Sequence, residues 1–344
     1  MSILLKGFIM SKMTIPENYR SALSVYETQI AIGRIKRFFE DKLCQSLNLS
    51  RVSAPLFVEP QTGLNDNLSG VERPVEFDIK ETGTNAQVVQ SLAKWKRMAL
   101  HNYGFPLGTG LYTDMDAIRR DDKMDLIHSI YVDQWDWEKV IDRSMRNLNF
   151  LKETVIVIIN AVCDTSDMIK KQFPVLTTNL SREVKFITTQ ELEDTYPDLS
   201  PNEREYAALK EHKTVFLMQI GDVLKSGKKH DDRAPDYDDW SMNGDILFWD
   251  DVLGCALELS SMGIRVDEKS LDSQLCKACC DERRKLLYHK MLLAGELPLT
   301  IGGGIGQSRL CMLLLQKAHV GEVQVSVWNK ETVDLCKSAG IELL

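Results

Sequence analysis

The stretch Leu299-Thr-Ile-Gly-Gly-Gly-Ile-Gly-Gln-Ser-Arg-Leu-Cys-Met-Leu-Leu-Leu-Gln-Lys317 constrains this chain more than any other. Leu299 to Ile301 reads as a short buried strand. The glycines at 302, 303, 304 and 306 allow unusual backbone shapes and close approach to a ligand. From Gln307 the spacing of Leu310, Leu313 and Leu314 turns helical, so Arg309 falls in the first turn beside unpaired backbone N–H groups. Such a place can hold an anion. A tight strand–helix corner accounts for the same residues, and the stretch alone does not choose. Two phosphate motifs are excluded. The fingerprint G-x-G-x-x-G fails because Gln307 stands where the third glycine belongs, and no Gly-Lys-Ser/Thr follows.

The rest of the chain reads as helices around paired strands. Ile30, Ile35, Phe38, Phe39, Leu43 and Leu47 predict one long helix over 17–48, whose apolar stripe could find its partner across a dimer interface. Arg51 to Val58 follows as a strand interrupted by Pro55, which suits an edge. Gln87 to Gln90 is a strand running into Ser91, the predicted N-cap of a helix from Leu92 to Tyr103. Gly110 to Arg120 and His128 to Glu138 form two strands joined by a charged loop. Residues 140–173 are helical, and Thr188-x-x-Glu191 and Ser200-Pro-Asn-Glu203 are capping boxes. Thr214 to Ile220 is a buried strand, and Asn243–Trp249 and Ala256–Val266 are neighbouring antiparallel strands. Composition does not shift along the chain, so residues 17–344 are expected to be one domain behind a loose extension, 1–16.

Several polar residues stand where an ordinary core would not put them. Alternation along the 128–138 strand sets Val132, Gln134, Asp136 and Glu138 on one face and Tyr131, Asp133, Trp135 and Trp137 on the other. Three polar residues in a row on one face point to a ligand-lined sheet. Lys94, Lys96 and Arg97 crowd the start of a helix, where cations oppose the dipole, which hints at a nearby anion. Asp66 either caps a turn or holds an ammonium group. Asp245 and Glu258 interrupt adjacent apolar strands and suit Mg²⁺ with phosphate co-ligands, or else face solvent. The charged run from Lys228 to Trp240 is a solvated loop or a lid.

Composition narrows the function. A net charge of −8 argues against a general nucleic-acid surface, and no apolar run is long enough to span a bilayer. Eight cysteines at irregular spacing suggest reduced thiols and a cytoplasmic protein. Cys276-x-x-Cys279-Cys280 lacks the further ligands of a zinc site and reads as ordinary thiols on a helix.

Six blocks in order then resemble one family. They are Asp66–Gly70, Ser91–Arg97, Tyr131–Glu138, Arg233–Trp240, Glu258–Arg265 and Gly302–Arg309. Together they resemble the ammonia-dependent, type A asparagine synthetases, and the long helix, the paired strands and Arg309 resemble the three signatures of class II aminoacyl-tRNA synthetases. The resemblance covers about residue 17 to Trp328 and implies an α+β, class II synthetase-like fold, an antiparallel sheet flanked by helices, in a homodimer. It implies synthesis of L-asparagine from L-aspartate, ammonia and ATP through a β-aspartyl adenylate. It would place Arg119 and Arg309 on the ATP phosphates, with Lys96 joining them in catalysis, and Asp245 and Glu258 on Mg²⁺. Ser129 and Val132 would lie along the nucleotide with Asp239 nearby. Asp66, Ser91, Lys96, Gln134, Asp136, Arg233, Ser261 and Arg265 would surround the amino acid. One departure is that only Ser241-Met242 separates Trp240 from Asn243, shorter than in bacterial members, which bears on the length of a lid.

An aspartyl- or asparaginyl-tRNA synthetase shares the adenylate chemistry but normally adds an anticodon-binding module, which the sequence is not expected to contain. A catalytically silent paralogue would have lost Arg119, Arg309, Asp245 or Glu258, and all four are present. A glutaminase of the N-terminal-nucleophile kind needs cysteine after the initiator methionine; position 2 is Ser2, so ammonia is the expected donor.

Overall fold

The computed structural model describes residues 14–66, 68 and 72–344, and its first helix begins where capping chemistry puts it. The Ser24 hydroxyl accepts the Glu27 N–H at 3.3 Å, and the Glu27 carboxylate accepts the Ser24 N–H at 2.9 Å. Two donors left open at a helix start are thereby satisfied. Helix α1 spans Val25–Leu47, a later start than the 17–48 expectation, which rested on apolar spacing alone. Ala31, Ile35, Phe39 and Leu43 bury its inner stripe, while Ile30 stays at the surface. Of the expected extension, residues 1–13 lie outside the described residues, and Ile15 packs against the core.

The predicted strand around Pro55 is in fact two. β1 (Leu49–Arg51) lies on the edge of the main sheet, and β2 (Phe57–Val58) joins β3 (Glu76–Ile79) and β4 (Thr84–Val88) in a small second sheet. Then follow α2 (Ala93–Asn102), β5 (Gly110–Ile118), β6 (Tyr131–Val140) and α3 (Leu148–Gln172). Next come β7 (Lys185–Thr188), α4 (Thr189–Thr195), α5 (Pro201–His212) and β8 (Thr214–Met218). Both helices after β7 open on the predicted capping boxes. The chain ends with β9 (Asp238–Asp250), β10 (Cys255–Arg265), α6 (Glu268–Lys277), α7 (Leu287–Leu293), β11 (Thr300–Gly306), α8 (Gln307–Leu314) and α9 (Lys330–Ser338).

The main sheet has eight strands in the order β1-β5-β6-β11-β10-β9-β8-β7. Its central strands pair antiparallel, and only the edge pairs β1/β5 and β7/β8 are parallel. One face packs under α1, α3 and α8 through Trp135, Trp137, Phe248, Ile301 and Ile305. Phe39 of α1 meets Trp135 with ring centroids 4.8 Å apart. The other face, in the middle of the sheet, carries the polar residues. Ser241 and Met242 run inside an unbroken β9, so the short spacing noted there is strand and not lid. All eight cysteines are free thiols; Cys276 lies in the last turn of α6, and Cys279 and Cys280 come after the helix. Among the described residues no helix is long and apolar enough to cross a membrane.

Candidate active site

The glycine strand makes the site possible by what it lacks. β11 stays extended through Gly306, and none of its glycines has a positive φ, so the expected conformational freedom is unused. Register sets Gly302 opposite Glu138, Gly304 opposite Asp136 and Gly306 opposite Gln134. A Cβ at Gly304 would stand 2.5 Å from the Gln134 Oε1 and 2.8 Å from an Asp136 oxygen. At Gly302 it would collide with the Glu138 carboxylate and lie 2.7 Å from the Arg265 guanidinium. The strand is bare because the polar ladder of β6 leans across it. Gly304→Ala is therefore expected to raise the KM for a substrate bound on this face about tenfold while costing roughly 1–3 kcal/mol of stability. Steady-state kinetics beside thermal unfolding of the same variant check this.

A cavity of about 540 Å³ opens over this face. Ser91, Lys96, Arg119, Ser129, Val132, Gln134, Asp136, Arg233, Glu258, Ser261, Arg265 and Arg309 all line it. Lys96 reaches in from α2, fully buried, and donates to Asp136 and to the Gly303 carbonyl, both at 2.8 Å. Burial pulls its pKa down, with the Asp136 charge working the other way. Asp136 keeps its second carboxylate oxygen buried without a hydrogen-bond partner among the described residues. Ser91 stands one residue before the N-cap, Leu92, and accepts the Ala93 N–H at 3.1 Å. The basic cluster of α2 does meet anions, but they are the protein's own: Lys94 pairs with Asp236 at 3.2 Å. Arg97 instead donates to the carbonyls of Pro298 and Val266.

Arg119 and Arg309, the two arginines expected on the phosphates, have few charged partners. Arg309 donates to the Glu258 backbone carbonyl at 2.8 Å and lies 3.6 Å from its carboxylate. Arg119 donates to the Gln90 carbonyl at 3.4 Å, and its Nε has no partner among the described residues. The start of α8 does hold an anion, though again a resident one. Asp133 accepts the Ser308 N–H at 3.1 Å and its hydroxyl at 2.8 Å, and Lys36 of α1 approaches it at 3.4 Å. The start of α8 is thus occupied by a carboxylate of the protein itself, which corrects the expectation that it is open to an anion.

Three expected residues stand outside the cavity lining. Asp66 is buried, and one of its oxygens accepts the Leu68 N–H at 3.1 Å, as a turn cap does; the other has no partner among the described residues. Burial pushes its carboxyl up to about 6, against the pull of Lys94. Asp239 is drawn into an ion pair with Arg146 and also accepts from Ser241. Asp245 accepts from Arg233 at 2.6 and 2.8 Å, and Arg233 also donates to Ser261 at 2.9 Å. Burial first, and then the nearby Glu258 charge, push the Asp245 carboxyl up to about 7 despite Arg233. Desolvation also opposes ionisation of Glu258, but Arg309, Arg233, His128 and Arg119 outweigh it and hold that carboxyl below its usual range.

Sequence reasoning missed three participants. Arg265 is clamped by Glu138, with Nη2 at 2.8 Å and Nε at 3.0 Å, and by Asp238. Glu138 was visible only as a member of the polar face, and Asp238 was hidden in a charged run that read as a solvated loop or a lid. His128 lines the cavity and pairs with Asp125 at 2.8 Å, and nothing local distinguished it from a loop histidine.

The fold is that of the class II aminoacyl-tRNA synthetases. It aligns with the asparaginyl-tRNA synthetase of Pyrococcus horikoshii, solved with asparaginyl-adenylate, at TM-score 0.60 and 14% identity, covering 90% of this chain and 73% of that one. The asparaginyl-tRNA synthetase of Entamoeba histolytica gives 0.59 and 15%, over 87% and 67%. The family profile described as aspartate-ammonia ligase matches residues 26–340. An aspartate–ammonia ligase of Clostridium perfringens is 57% identical over 97% of this chain and 100% of its own length; one from Bacillus cereus is 56% identical over 94% and 99%. The chain belongs to the aspartate-ammonia ligase family.

Proposed function

We propose that this enzyme activates the β-carboxylate of L-aspartate with ATP and transfers the β-aspartyl group from AMP to ammonia, releasing L-asparagine, AMP and pyrophosphate. The carrying observation is one cavity that unites lightly partnered arginines, Arg119 and Arg309, with the Lys96–Asp136 pair. A carboxylate attacking the α-phosphorus brings two anions together, so fixed cations must balance the charge that builds there. Arg119 and Arg309, both lining the cavity, suit the phosphates. Lys96, held immobile by Asp136 and Gly303, suits the β-carboxylate that becomes the nucleophile.

The free oxygens of Asp136 and Asp66 suit the substrate ammonium, and Gln134, Ser91, Arg233, Ser261 and Arg265 complete the amino-acid end. Ser129 and Val132 lie along the nucleotide. Asp239 stands outside the cavity lining, paired with Arg146, and is given no direct part in binding the nucleotide.

Asp245 and Glu258 fit a divalent cation with phosphate oxygens as the other ligands: two nearby carboxylates, one raised to about 7 by burial and by the charge of the other. Mg²⁺, when bound, supplies charge neutralisation and fixes the phosphates. Arg233 shares the Asp245 carboxylate and therefore competes with a cation for it. The surface left exposed on α1, including Tyr26 and Ile30, supports a homodimer. Reduced cysteines support a cytoplasmic setting.

Purified protein incubated with ATP, Mg²⁺ and L-aspartate is expected to form AMP and asparagine in equal amounts when ammonium is added. Glutamine should support little, and tRNA should change nothing. Aspartyl-tRNA without free asparagine would move the reading to a tRNA synthetase, and no turnover by folded protein would favour a silent paralogue.

A further inference from the structure

One hydrogen-bond acceptor in the cavity wall has its direction fixed by chemistry and takes no part in the reading above. Gln324 lies between α8 and α9, is 5% exposed, and forms part of that wall. Its amide nitrogen donates to one Asp133 oxygen at 3.2 Å and to the Ser308 hydroxyl oxygen at 3.1 Å. The Ser308 hydroxyl gives its own proton to the other Asp133 oxygen, at 2.8 Å. A carboxylate only accepts, so the amide cannot turn over without setting its oxygen against Asp133. The Gln324 Oε1 is therefore a locked acceptor. It is buried and finds no donor among the described residues. Such an acceptor costs free energy that an arriving donor recovers.

Its surroundings say which donor. The segment carrying Gln324 is tied to the start of β6 at two points. The Val320 N–H donates to the Leu126 carbonyl at 2.8 Å, and the Ser129 and Ser326 hydroxyls stand 2.7 Å apart. Ile127, Leu259 and Val320 belong to one apolar cluster and, with Val132, line the cavity. Apolar walls with a few fixed polar groups suit a flat heteroaromatic base.

We infer that the Gln324 side-chain oxygen accepts the exocyclic amine of a 6-aminopurine and so selects the base of the nucleotide. This rests on the reading of the cavity as an ATP site, with Ser129 and Val132 along the nucleotide. A 6-amino group brings N–H donors, whereas the 6-oxo group of hypoxanthine or guanine is an acceptor. Against a fixed Oε1 a 6-oxo group leaves two acceptors facing each other unpaired. A purine with only hydrogen at C6 leaves Oε1 alone unpaired, so it should be rejected less strongly. A glutamine free to turn would offer its amino group to the 6-oxo ring and lose the distinction. Asp133 and Ser308 prevent that turn.

The test compares ATP, purine riboside triphosphate and inosine triphosphate on the full-length enzyme and on Gln324→Met, which keeps the length and removes the acceptor. Pyrophosphate release gives kcat/KM for each nucleotide at saturating L-aspartate, ammonium and Mg²⁺, beside thermal unfolding. The parent is expected to prefer ATP about tenfold over the 6-H purine and about a hundredfold over the 6-oxo purine. Gln324→Met should lose about tenfold with ATP and stay within about threefold with the 6-H purine, so that the two become equivalent. A preference for ATP that survives intact in Gln324→Met would assign the amine to another acceptor and overturn the inference. An equal loss with all three nucleotides would overturn it too, since that marks a structural role. If Gln324→Met does not fold, the parent decides: a 6-H purine used as well as ATP overturns the inference, and a tenfold preference for ATP supports it. No pyrophosphate from any nucleotide, with folded parent, would remove the underlying reading, whereas ATP turnover without base preference would remove only the inference.

Discussion

Arg309→Ala is expected to lower the rate of AMP formation by about a hundred- to a thousandfold, a barrier increase of roughly 2.7–4 kcal/mol, while the protein stays folded. The reason is the economy of its contacts. Arg309 binds one backbone carbonyl and stands 3.6 Å from a carboxylate that is 45% exposed, so truncation leaves no buried charge unpaired. Such partly solvated pairs contribute little to stability. Its positive charge faces the cavity where phosphate charge must be balanced. Arg309→Lys keeps the charge but loses the planar fork and should fall between the two. Turnover within about threefold of the parent, measured on protein with an unchanged melting point, would remove Arg309 from the reaction.

Local chemistry was legible and long-range chemistry was not. Thr188–Glu191 and Ser200–Glu203 could be read because a capping box is complete within four residues. The two faces of β6 could be read because strand alternation has a fixed period. The start of α1 was missed although Ser24 and Glu27 carry the same signal as the boxes that were read. The split around Pro55 was not legible, since β2 pairs with residues far along the chain. The glycine run was read for flexibility, whereas its use is spatial and depends on which side chains lie across it. Twelve residues of the cavity lining were named in advance by resemblance. The partners that hold parts of it, Glu138, Asp238 and Asp133, each sit on a different element from the group they hold and are defined by packing alone.

The same distinction predicts that the largest loss of stability will come from a residue expected mainly to bind substrate. Arg265 has all three guanidinium nitrogens engaged by protein: Nε and Nη2 by Glu138, Nη1 by Asp238. Glu138 is held further by the Thr300 hydroxyl at 2.6 Å, so one buried cluster ties β6, β9, β10 and β11 together. Arg265→Met removes the cation and leaves two buried carboxylates facing each other. Breaking one side of such a pair costs roughly 3–5 kcal/mol, more than the pair adds over an apolar replacement. Arg265→Met is expected to unfold at correspondingly lower urea, and adding Glu138→Gln and Asp238→Asn should recover part of the loss. The pH dependence has a definite sign. Burial opposes the Glu138 charge, but Arg265 outweighs it and holds that carboxyl below its ordinary value. A carboxylate depressed in the folded state stabilises above its unfolded pKa, and that stabilisation is lost as pH falls through the folded one. Without Arg265 the contribution is absent and the buried carboxyl favours its proton. The gap between parent and Arg265→Met should therefore be widest near neutral pH and narrow as pH falls below about 4. Urea midpoints that coincide at neutral pH, or a gap that stays constant into acid, would return Arg265 to a role in binding alone.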